Sequence, residues 1–75
     1  METSKTDMLD LRVIEPELVE MFVEVRASIV EKNGSFWMIH DHDPVELYDF
    51  ILDLGFTAQT YIYGPSEYRI FVGRQ

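Results

Sequence analysis

The chain contains no cysteine, which excludes a disulfide, a thiolate metal centre and a thiol nucleophile. Cations are also scarce: six Lys and Arg stand against fourteen Asp and Glu, for a formal net charge of −8. Lys5, Arg12, Arg26, Lys32, Arg69 and Arg74 are scattered. Sequence-independent phosphate binding needs clustered cations to displace counterions, so nucleic acid is not an expected partner. No apolar run reaches membrane-spanning length, and Met1 to Asp7 lacks the charged-then-apolar pattern of a signal peptide. The expectation is a cytoplasmic protein with no membrane partner. Neither a Gly-rich phosphate loop nor a recognisable nucleophile arrangement occurs, which points away from an enzyme.

What the chain does have is apolar material. Of its 75 residues 47% are hydrophobic, with ten aromatics among them, enough for one domain near the lower size limit for folding without staples. Its core must be apolar packing alone, or packing shared with a second chain. A stability of roughly 4–11 kcal/mol is typical of this length.

Residues 1–7 are polar and read as a frayed tail, leaving 8–75 as the single domain. Met8 to Val13 alternates, with Leu9, Leu11 and Val13 opposite Asp10 and Arg12, and predicts a half-buried strand. Glu15-Pro16-Glu17 opens a helix with Pro16 at the first helical position. Leu18, Met21, Phe22, Val25 and Ile29 fall at helical spacing and predict its core stripe. Val19, Val23 and Val30 widen that stripe, either by packing on neighbouring elements or as a partner-binding flank. Asn33-Gly34 is the expected stop. Ser35 to Asp41 predicts a strand that is apolar on both faces, with Phe36 and Met38 on one and Trp37 and Ile39 on the other.

The second helix has three start signals in four residues: Asp43 as cap, Pro44 at the first helical position, and Glu46 to complete a capping box. Leu47, Tyr48, Ile51 and Leu54 would face inward, and Gly55 would end the helix. Phe56–Tyr63 and Glu67–Gly73 flank Gly64-Pro65-Ser66 as a hairpin. The order strand, helix, strand, helix, strand, strand predicts an α+β two-layer sandwich: a four-stranded mixed sheet with both helices on one face.

That order, with Leu9-Asp10-Leu11 leading into Glu15-Pro16 and Asp43-Pro44 opening the second helix, resembles the TusA/SirA-like sulfur-carrier superfamily. It is most similar to an uncharacterised branch in which the His-Asp-His-Asp-Pro run of residues 40–44 recurs. The likeness covers residues 8–74. Carriers of this kind hold a persulfide on the cysteine of a Cys-Pro-x-Pro motif at the start of the first helix. The matching segment here is Val13-Ile14-Glu15-Pro16, so Val13 stands where the cysteine would be. The resemblance therefore implies the scaffold and a habit of docking onto proteins, without persulfide transfer.

Two constellations invite a functional reading. His40 and His42, two apart in an extended chain, share a face with attachment points about 6.5–7 Å apart. Two imidazoles so placed reach one Zn²⁺ or Fe ion, with Asp10 or Glu67 as candidate further ligands. Asp41 would point the opposite way. The plain alternative is a solvated polar junction, and a third reading is a pH-sensitive switch. The other constellation is the sheet face away from the helices. Alternation sets Phe56, Ala58, Thr60 and Ile62, with Tyr68, Ile70 and Val72, against the helices, leaving Tyr61, Tyr63, Arg69 and Phe71 free. The family pattern, with a polar residue at the position of Met38, adds Phe36, Met38 and His40 to the free face. Aromatics, Met and Arg are enriched at protein interfaces. The sequence thus predicts a non-catalytic interaction module using a protein partner or a homodimer, with a metal- or cofactor-binding protein as the alternative.

Overall fold

The computed structural model describes residues 8–30 and 34–74. Its elements are β1 (Leu9–Asp10), α1 (Val19–Ile29), β2 (Ser35–His40), α2 (Val45–Asp53), β3 (Phe56–Gly64) and β4 (Glu67–Arg74). Short 3-10 turns at Leu11–Val13 and Pro16–Leu18 precede α1. The four strands form one mixed sheet in the order β1-β2-β4-β3, with β1 parallel to β2 and the other pairs antiparallel. The predicted frayed tail and Asn33 lie outside the described residues, but α1 ends before the predicted Asn33-Gly34 stop: Ile29 is its last residue, and Val30 is extended with its N–H donating to the Ala27 carbonyl. Among those described, no helix is long and apolar enough to cross a membrane.

The first strand is shorter than the Met8–Val13 alternation predicts. Asp10 accepts the main-chain N–H of Arg12 at 3.0 Å and its guanidinium at 2.9 and 3.0 Å. A short carboxylate that bonds its own backbone two residues on favours a turn over a ladder. The chain therefore coils at Leu11–Val13, burying Leu11 and leaving Val13 exposed.

Helix α1 presents the opposite stripe from the one expected. Val19, Val23 and Ala27 are buried, whereas Leu18, Met21, Phe22, Val25 and Ile29 face solvent. Both sets satisfy helical spacing. Phe36, Met38, Leu11 and Leu47 already fill the layer between helices and sheet, which suits the smaller residues of the helix.

Helix α2 also starts differently. Pro44, with φ −81° and ψ 61°, occupies the cap position, and the helix has no side-chain cap. Those angles are an inverse γ-turn, closed by Val45 N–H donating to the Asp43 carbonyl at 2.8 Å. The predicted Asp43–Glu46 capping box does not form, because Asp43 accepts the Tyr48 hydroxyl instead. The end is as expected: Leu54 closes the helix and Gly55 follows with φ +91°. Beneath both helices, Phe36 pairs with Val72 and Met38 with Ile70, and all four are buried with Leu47, Ile51 and Phe56. Ile62 was expected on this face, yet it is 72% exposed beside the irregularity at Ile62/Gly64, where the helical layer does not cover the hairpin.

Candidate functional site

The first site is the corner between β2 and α2. His40 is the last residue of β2, and the chain bends at Asp41 and His42 before Pro44. That bend brings the two imidazoles together, with ring centroids 4.1 Å apart and planes tilted by 56°. It also turns Asp41 back toward them, where an unbroken strand would have pointed it away. Asp41 Oδ1 lies 2.8 Å from His42 Nδ1 and 3.0 Å from His40 Nδ1. His42 Nε2 lies 3.3 Å from Glu46 Oε2, one helical turn on.

Charges in this corner hold one another. The contact with His42, then that with His40, keeps the Asp41 carboxyl below its ordinary range. Asp41 first and Glu46 second push His42 above its ordinary value. Glu46 is held low by its own main-chain N–H and then by His42. Opposite charges and hydrogen bonds to the ionised form act in the same direction here.

Asp10 and Glu67, the carboxylates the sequence offered as further ligands, are both engaged by arginines. Asp10 binds Arg12, and Glu67 accepts Arg69 Nε at 2.8 Å. The acidic residues in contact with the histidines are Asp41, which alternation predicts to point away, and Glu46, which was expected in a capping box. For Glu46 the signal was present in its spacing four residues after His42. A cleft of about 400 Å³ opens beside the pair. Leu11, Ile14, Val19 and Leu47 supply apolar walls, and Glu17 and Glu20 border it with His40, His42 and Glu46.

The second site is the sheet face away from the helices. Here the expectation needs correction: Phe36 and Met38 are 7% and 0% exposed and belong to the core. Their pairing with Val72 and Ile70 fixes that face, and His40 shares its side by alternation. Trp37 and Ile39 take their place on the open face, opposite Phe71 and Arg69. The strand is apolar on both sides, so only strand register could assign its faces.

Tyr61, Tyr63, Arg69 and Phe71 do lie on the open face. Trp37 meets Phe71 edge-on at 5.1 Å between centroids and Tyr61 at 5.9 Å. The Arg69 guanidinium sits 4.2 Å over the Tyr63 ring, while Tyr61 donates to Gln59 at 3.0 Å. Tyr61 is 46% exposed and Tyr63 58%. Asp10 pairs with Ile39 and so shares this face with its partner Arg12. With Glu67–Arg69, the face carries two matched ion pairs. Compared with protein-family models, curated proteins and solved structures, the chain has a match in none of the three.

Proposed function

We propose that this chain is a small cytoplasmic, non-catalytic interaction module that pairs with a second copy of itself through the open sheet face. The observation that carries the reading is the Trp37–Tyr61–Phe71 cluster on a face whose charges cancel. At −8, two copies repel over most of their surfaces. The open face is an exception, because Asp10–Arg12 and Glu67–Arg69 offset each other. The outer stripe of α1 is apolar and exposed too. Large exposed apolar patches are uncommon on monomers, and aromatics and Arg dominate interface energetics.

The TusA/SirA-like resemblance is compatible with a docking scaffold whose carrier chemistry has been lost at Val13, an exposed residue at the end of its 3-10 turn. Sedimentation equilibrium of the wild type and Tyr61→Glu tests the reading. A concentration-dependent dimer that Tyr61→Glu converts to a folded monomer is expected. A wild type that stays monomeric at high concentration overturns it.

A further inference from the structure

The corner between β2 and α2 contains two contacts that no protonation state of His40 satisfies together. The main-chain N–H of Asp41 donates to His40 Nδ1 at 2.8 Å, which requires that nitrogen to be proton-free. The same nitrogen lies 3.0 Å from Asp41 Oδ1, which is also an acceptor. Protonating Nδ1 repairs the carboxylate contact and spoils the main-chain one. His42 has a carboxylate oxygen at each ring nitrogen, 2.8 Å and 3.3 Å away, and the protonated ring donates to both.

The geometry points to a binding site for one first-row divalent ion, of the Zn²⁺ or Fe²⁺ type, held by imidazole nitrogens of His40 and His42 and the carboxylate of Asp41. Ligand atoms from these three residues lie within 4.8 Å of one another. Around an ion with bonds of about 2.0–2.1 Å, tetrahedral ligand atoms stand about 3.4 Å apart. The present spacings of 2.8 and 3.0 Å need to open by only roughly half an ångström to reach that. An ion at the shared point takes the lone pairs that now face each other. The Asp41 N–H, at the surface, passes to water.

Glu46 completes the arrangement as a positioning residue. A ligating imidazole usually donates its other ring N–H to a carboxylate, which fixes its tautomer and orientation. Glu46 Oε2 faces His42 Nε2 in that way, leaving Nδ1 for the ion. Two imidazoles with a carboxylate suit Zn²⁺ and Fe²⁺ better than Ca²⁺ or Mg²⁺, which favour all-oxygen shells. The cleft bordered by His40, His42 and Glu46 leaves room for a further small ligand on the ion. This site is separate from the open sheet face, so one ion per chain is expected in monomer and dimer alike.

The test is calorimetric titration of untagged protein with Zn²⁺, alongside Co²⁺ as a spectroscopic substitute whose visible absorption reports ligand number. One Zn²⁺ per chain should bind and raise the melting temperature. His42→Ala should weaken binding more than tenfold, and Glu46→Gln by about 10–100-fold with unchanged stoichiometry. Glu24→Gln, on α1, should leave affinity unchanged and so exclude a general effect of acidity. If His40→Ala disturbs folding, the exposed His42 and Asp41 positions carry the test, with Asp41→Asn expected to abolish tight binding. Absence of saturable binding, or binding that survives His42→Ala and Asp41→Asn, overturns the site.

Discussion

The Tyr48 hydroxyl donates to the Asp43 carboxylate and also meets the Thr60 hydroxyl. One side chain on α2 thereby ties the entry of its own helix to β3. Asp43 consequently acts as a tether, and the backbone γ-turn at Pro44 takes over the start of the helix.

A double-mutant cycle distinguishes tether from cap. Tyr48→Phe and Asp43→Ala should each destabilise by about 1 kcal/mol in urea unfolding. The Asp43→Ala cost should largely vanish in the Tyr48→Phe background. A cap acting independently of Tyr48 would still cost about 1 kcal/mol there.

Burial of the same hydroxyl, with its bond to Asp43 second, sets an alkaline pH dependence. Burial, followed by the Asp43 carboxylate that accepts its proton, pushes the Tyr48 hydroxyl above the ordinary tyrosine value, with Thr60 opposing. A folded value raised above the unfolded one contributes stability that is complete below about pH 10 and is lost as pH rises through the folded value. Unfolding free energy should therefore fall more steeply above about pH 10 in wild type than in Tyr48→Phe. Equal slopes would contradict a partly buried, hydrogen-bonded Tyr48 hydroxyl.

Two methionines test which stripe of α1 and which face of β2 are inside. Met38 is fully buried, and Met38→Ala should cost about 2–5 kcal/mol, a large share of the stability of so small a domain. Met21 lies on the outer face of α1, and Met21→Ala should change stability by less than about 0.5 kcal/mol. Thermal and urea unfolding read both directly, and a reversed order would place the helix the other way round.

Gly55 has open space where a Cβ would go, so its substitution isolates the backbone term. At φ +91°, Gly55→Ala should destabilise by about 1–2 kcal/mol. Gly55→Asn should cost less, since Asn tolerates positive φ better than Ala. Equal costs would point to a steric cause instead.

What was legible in the sequence were features with local causes. The hairpin around Gly64-Pro65-Ser66, the stop at Gly55 and the order of strands and helices each follow from nearby residues, and the α+β sandwich follows from them. Features decided by distant partners were not legible. Residues 18–29 carry two helical stripes, and sheet packing chose Val19, Val23 and Ala27. Phe36-Trp37-Met38-Ile39 is apolar on both sides, so its inner face depended on pairing with Ile70 and Val72. Asp43 matched a capping motif, but Tyr48 claimed its carboxylate. At the candidate metal corner, the spacing of His40 and His42 was visible. The return of Asp41 depended on a bend that alternation could not foresee.

Contact between two copies through the open sheet face is read residue by residue in a dilution series followed by two-dimensional amide NMR. Shifts that change with concentration should concentrate at Trp37, Tyr61, Arg69 and Phe71, including the Trp37 indole. Shifts that stay fixed at all concentrations would rule out the dimer. Changes confined to Leu18, Met21, Phe22, Val25 and Ile29 on the outer face of α1 would contradict the open-face contact.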